Sequence, residues 1–169
     1  STFHHGVEAY KIADLLADEG ICAALWADWW GFKHEAYDMT IANIAIVDQA
    51  RGGKGCAIVH SDSASGIQRL NQEAAKALAA GRKAGFEISE GRAMTWLTKN
   101  PAKSLGILDQ TGTLEQGKDA DLVIWDGNPF SVYTKAEQVY IDGALVFDKA
   151  TDFMPHTDFD LGVKEWEDK

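Results

Sequence analysis

Apolar positions along this chain alternate between two periods. Tyr10, Ala13, Leu16 and Ala17 recur at helical spacing, with Ile12 and Leu15 widening the stripe, so Glu8 to Glu19 reads as a helix that Gly20 stops. Ile21 to Ala27 is a short continuous apolar run ending in Asp28, Trp29 and Trp30, the pattern of a strand buried on both faces. Glu35 to Ala50 reads as a second helix, closed by Arg51-Gly52-Gly53. Cys56 to Val59 is a second buried strand, and it ends abruptly in His60, Ser61 and Asp62. A small-residue loop, Ser63 to Gly66, leads into a third helix over Ile67 to Ala84, where Ile67, Leu70, Ala74, Ala77 and Leu78 keep helical spacing.

Strands alternating with helices predict a parallel sheet with helices packed outside it. If Thr2-Phe3-His4 closes an earlier strand, the strand ends carry His4/His5, Asp28/Trp29/Trp30 and His60/Asp62. In a parallel sheet these ends lie on one side, where such folds place their catalytic groups.

The second half changes character. Ser89 reads as the N-cap of a helix reaching about Lys99, Asn100-Pro101 interrupts it, and Ala102 to Leu105 gives a further short turn. Asp121 to Trp125, Gln138 to Ile141 and Leu145 to Phe147 are short β runs. Asp126-Gly127 and Asp142-Gly143 are turn pairs, the second a tight-hairpin signal. From Thr151 the tail is acidic and irregular, and is expected to lie over the surface or to be partly disordered. A three-stranded parallel sheet would leave bare edges, and the later strands are too few for a sandwich of their own. The expectation is the carboxyl part of a larger protein.

The 169 residues suffice for one domain or parts of two, and 46% hydrophobic content is ample for a core. A net charge of −10 argues against a nucleic-acid partner and against an anionic membrane surface. No apolar run is long enough to span a bilayer, and the first residues lack the regions of a signal peptide, so a cytoplasmic protein is the default. Cys22 and Cys56 form no CxxC pair and read as small buried hydrophobes, with neither a zinc finger nor a disulfide framework expected.

Asn100 through Ile107 (NPAKSLGI) and Gly112 through Val123 (GTLEQGKDADLV) resemble the carboxyl end of the amidohydrolase superfamily, in its imidazolonepropionase-like branch. The His4-to-Lys11 start (HHGVEAYK) and the His60-Ser61-Asp62 segment are similar to that branch too. The resemblance implies an α/β chain: the last part of a (β/α)8 TIM-type barrel, followed by the carboxyl half of a small β-sandwich. Residues 1–106 would be barrel and linking helix, 107–150 sandwich, and 151–169 an acidic tail. It also implies one or two divalent metals, zinc by preference, and hydrolysis of a C–N bond in a cyclic or dipeptide-like amide by metal-activated water. The substrate would be a small molecule. The family's remaining ligands, a His-x-His on the first strand, a Lys or Glu on the fourth and a His on the fifth, would precede Ser1. The isolated chain is therefore expected to be inactive and to act as a homo-oligomer or beside a complementing amino-terminal portion.

By the same resemblance Asp62 is the strand-eight carboxylate that ligates metal, takes a proton from the attacking water and passes it to the leaving group. The bland alternative is a capping Asp. His5 matches the sixth-strand metal ligand, since neutral imidazole suits zinc, and His4 competes for that role. His60 would contact substrate or orient water, or else simply pack; strand period would point it inward with Asp62. Trp26, Trp29 and Trp30 would form an aromatic substrate wall or packing at a barrel end. A Ser-His-Asp triad is excluded within His60-Ser61-Asp62, because consecutive strand residues face opposite ways. The alternative to an enzyme is a non-catalytic accessory chain acting by self-association.

Overall fold

Short β-rich and Ala-rich segments here assemble into a parallel βαβαβ layer and a separate antiparallel sheet, in a computed structural model that describes residues 1–152. Strands β1 (Thr2–Phe3), β2 (Cys22–Leu25) and β3 (Cys56–Val59) pair in that order, all parallel, with Thr2 opposite Cys22 and Cys22 opposite Cys56. Helices α1 (Ala13–Asp18), α2 (Asn43–Gly53) and α3 (Leu70–Lys83) supply the crossovers and the flanking layer. Ala23, Leu25, Ala57 and Val59 pack in the main core with Leu16, Ile44, Val47, Ala74 and Leu78. Their alternates Cys22, Ala24, Cys56 and Ile58 form a second cluster, as a period of two requires of strands buried on both faces.

Several elements differ from the sequence reading. Glu8 to Glu19 splits into a 3-10 turn (Ala9–Ile12) and α1, and its stripe is narrower than expected: Ile12 and Leu15 are exposed. The apolar run from Ile21 stops pairing at Leu25, although Trp26 and Ala27 stay buried. Residues 26–42 form a long loop with a 3-10 turn at His34–Ala36, so the second helix starts at Asn43 rather than Glu35. Ala36 and Met39 keep their helical spacing but spend it on a cluster with Val7 and Trp26. Regular helical geometry in α2 ends before Ala50, where Arg51 and Gly52 turn left-handed. In the third helix Ile67 lies in a preceding 3-10 turn (Gly66–Arg69) and is exposed.

Ser89 caps α4 (Glu90–Met94) as expected, its hydroxyl accepting from the Arg92 amide at 3.1 Å. Asn100-Pro101 does not interrupt a helix but opens α5 (Lys99–Leu105); a first-turn proline has no intrahelical donor to lose. The free edge of β3 is covered as well. Trp96 C=O accepts from Val59 N–H at 3.2 Å, and Asn100 Nδ2 donates to Ala57 C=O at 2.7 Å.

Strands β4 (Leu122–Trp125), β5 (Ala136–Ile141) and β6 (Ala144–Asp148) make the antiparallel sheet, and a short helix α6 (Lys149–Asp152) follows. Asp142 and Gly143, at φ 51° and 76°, form the tight β5–β6 hairpin that Asp-Gly favours. Asp126-Gly127 instead opens a longer connection. Unlike β2 and β3, no residue of these three strands is fully buried. The acidic tail beyond Asp152 lies outside the described residues.

Cys22 and Cys56 correct the sequence reading: they are joined in a disulfide. They are register partners on adjacent strands, with Cα atoms 4.5 Å apart, so both side chains leave the same face of the sheet. Sequence spacing alone reveals local cysteine pairs and gives no hint of this cross-strand one. No helix among the described residues is long and apolar enough to cross a membrane.

Candidate functional site

The parallel sheet delivers its carboxyl ends to one place. Backbone hydrogen bonds to β2 continue beyond the neighbouring strands: Gly6 N–H donates to Ala24 C=O at 3.1 Å and His60 N–H to Leu25 C=O at 3.0 Å. These bonds fix the backbone immediately after His5 and at His60. His5 and Asp62 themselves are left-handed, at φ 54° and 50°. For non-glycine residues this conformation costs on the order of 1 kcal/mol and is held by its surroundings. It follows that Asp62 reaches the site through a turn after β3 and not through strand period, which ended at Val59.

His5 Nε2 lies 3.3 Å from Asp62 Oδ1. The contact is not a hydrogen bond, and Nε2 is buried without a hydrogen-bond partner; His60 Nε2 is likewise buried without one. His4, exposed, completes the cluster: one ligand nitrogen from each of His4, His5 and His60 lies within 4.8 Å of the others. His5 and His60 stack with centroids 5.2 Å apart, and the His4 ring lies tilted against both, at 4.0 Å from His5 and 4.7 Å from His60. Burial, with help from the charges of His4 and His5, pushes the His60 pKa down to about 4 against the opposing pull of Asp62. At neutral pH His60 is therefore neutral and keeps a free lone pair.

Aromatic side chains wall one side. Trp26, wholly buried, stacks on His5 at 4.8 Å and on His60 at 5.4 Å. Trp29 stacks on Trp26 at 5.8 Å, and Phe32 meets both edge-on. Trp30 is not brought into this group; it is exposed and lies against Tyr37. Asp28 turns away to Lys76 at 2.9 Å. Sequence reasoning missed Phe32, Lys33 and Glu35. Lys33 Nζ sits 5.1 Å over the Trp26 ring and 2.6 Å from Glu35, whose carboxylate is 4.0 Å from His5 Nδ1. Glu35 reads from sequence as the start of a helix, which hides its place beside His5.

Buried imidazole nitrogens are ordinarily partnered. Two without partners, facing a third imidazole and a carboxylate, fit a divalent transition ion of the kind that nitrogen donors select. The same arrangement can hold a water and take its proton.

Residues 41–155 match the profile of the Amidohydrolase family. Over 151 residues the chain is 31% identical to an amidohydrolase, tasK, of Hapsidospora irregularis, covering 86% of this chain and 14% of that protein. Over 55 residues it is 49% identical to an imidazolonepropionase of Brucella suis, covering 32% of this chain and 12% of that protein. The crystal structure of an amidohydrolase from Thermotoga maritima matches at a TM-score of 0.75 and 36% identity, over 87% of this chain and 37% of that one. E. coli guanine deaminase, at 20% identity and a TM-score of 0.55, shares the fold. The chain thus spans well under half the length of each of these relatives.

Proposed function

Because this chain belongs to the Amidohydrolase family, we propose that it is the carboxyl-terminal portion of a metal-dependent hydrolase that cleaves a C–N bond in a cyclic or dipeptide-like amide. The observation that carries this reading is the approach of His5 Nε2 to Asp62 Oδ1 at 3.3 Å, beside imidazole nitrogens with no other partner. His5 and Asp62 would hold the ion, zinc by preference for its nitrogen-rich surroundings. Bound there, a divalent ion would polarise the substrate carbonyl and make water acidic enough to ionise near neutral pH. Asp62 accepts the proton of the attacking water and returns it to the departing nitrogen. His60, neutral and rigidly placed, hydrogen-bonds substrate or water. Trp29, with the buried Trp26 behind it, would give a flat apolar wall for a small substrate, and Trp30, exposed against Tyr37, stands apart from it.

The division into barrel segment (1–106), sandwich segment (107–150) and acidic tail (151–169) belongs to the same proposal. Residues 1–106 contain the parallel layer that barrels repeat, and the open faces of β4–β6 call for a second sheet. A cytoplasmic location is kept in it, with the Cys22–Cys56 bond shielded from reductant by burial. Changing Asp62 to Ala in the complete enzyme should abolish turnover while leaving the circular dichroism intact; retained turnover would refute the role.

A second reading, a non-catalytic chain acting by self-association, is favoured by one observation. Val123, Ile124, Ile141, Leu145 and Val146 on the antiparallel sheet are exposed, a surface that invites a partner sheet. It predicts concentration-dependent mass in sedimentation, and a monomer at all concentrations would dismiss it.

A further inference from the structure

We propose that His4 and His60 join His5 as direct ligands, so that this chain presents one ion with a face of three imidazoles, Asp62 standing at its edge. The inference rests on the metal-dependent reading above and extends it, since that reading needs only His5 and Asp62. The three ligand nitrogens lie within 4.8 Å of one another. Nitrogens bound to one zinc-like ion at roughly 2.1 Å sit about 3.4 Å apart in a tetrahedral site, so closure takes about an ångström of ring rotation. His4 is exposed and free to supply much of it.

Two further facts point the same way. His5 Nε2 and His60 Nε2 are buried and make no hydrogen bond, and an ion would satisfy both. The stack of His5 and His60 on Trp26 also fixes both ring planes before any ion arrives. Three neutral nitrogen donors select a borderline transition ion over magnesium or calcium, which take oxygen. The choice between His4 and His5 then dissolves: both bind.

The test is a titration of the 169-residue chain with Co2+, read by visible absorption, together with Cu2+ electron paramagnetic resonance to count bound imidazoles. His4→Ala, His60→Gln, His5→Ala and Asp62→Asn are compared, with folding checked by circular dichroism. His4→Ala, at an exposed position, keeps the test valid should His60→Gln fail to fold. The expected result is one ion per chain, three nitrogens in the resonance pattern, and Co2+ affinity lowered about tenfold or more by His4→Ala and by His60→Gln. Affinity lost in His5→Ala and Asp62→Asn yet unchanged in His4→Ala and His60→Gln would overturn the three-imidazole face and leave the proposed function standing. A folded chain that binds no Co2+ at all would overturn the three-imidazole face, while turnover of the complete enzyme and its Asp62→Ala variant would still decide the proposed function.

Discussion

The indole N–H of Trp96 donates to Asp48 Oδ1 at 2.8 Å, and neither residue has any exposure to solvent. Arg92 reaches the same carboxylate with Nε at 2.8 Å and holds Gly53 C=O with Nη2 at 2.9 Å. One acidic side chain thus ties α2 to the segment that covers the edge of β3. Asp48→Ala leaves a buried indole donor and a half-buried guanidinium without their acceptor, and should cost about 3 kcal/mol in urea unfolding. Trp96→Phe removes the donor while Arg92 stays on the carboxylate, so its hydrogen-bond loss should be smaller, with a separate loss from the packing of the larger ring.

The sign of the pH dependence follows from His60. Its folded pKa of about 4 lies below the usual value of 6.5 because burial disfavours the charged ring. Between these values the unfolded chain binds more protons than the folded one, so stability contributed by this group is complete above pH 6.5 and declines as pH falls toward 4. In metal-free protein, urea midpoints measured from pH 7.5 to 4.5 should fall more steeply for the native sequence than for His60→Gln. Parallel curves would show that the ring titrates normally.

Joining Cys22 to Cys56, residues separated by 34 in sequence, removes loop entropy from the unfolded chain worth about 3–4 kcal/mol. Denatured but unreduced protein should show no reactive thiol, and reduction should release both. The Cys22→Ala, Cys56→Ala pair should unfold at a lower temperature while keeping its secondary structure.

Gly55 has no room for a methyl group. A Cβ there would lie 1.6 Å from the Val47 carbonyl oxygen, which is backbone and cannot swing aside. Gly55→Ala should therefore push α2 off the sheet and cost roughly 2–3 kcal/mol or more. Wild-type stability in that variant would contradict the close approach of helix and strand.

The alternation of buried runs and helical stripes was enough to place β2, β3 and the parallel layer, because a strand buried on both faces has few other readings. Ser89 and Asp142-Gly143 were legible for an equally local reason: a cap and a type I′ turn are set by one or two residues. What stayed hidden was non-local. The stretch from Glu35 to Ala42 looks helical because Ala36 and Met39 happen to keep helical spacing, yet their partners are Val7 and Trp26. His60 and Asp62 could be named as candidates from their place after a strand, but not the left-handed turn that aims Asp62. The cysteine pair depended on register between strands, which no spacing rule encodes.

The antiparallel sheet has a different kind of existence from the parallel one. Its strands hold each other by ladder bonds, with Lys149, just past β6, paired to Glu137 on β5, and with no fully buried side chain along them. Opening it locally gives up little apolar burial, so its amide hydrogens should trade with solvent deuterium long before those of β2 and β3. The chain would then breathe as two units of unequal lifetime, a slow one that holds the histidines in place and a fast one whose edges are intermittently offered to whatever strand is near.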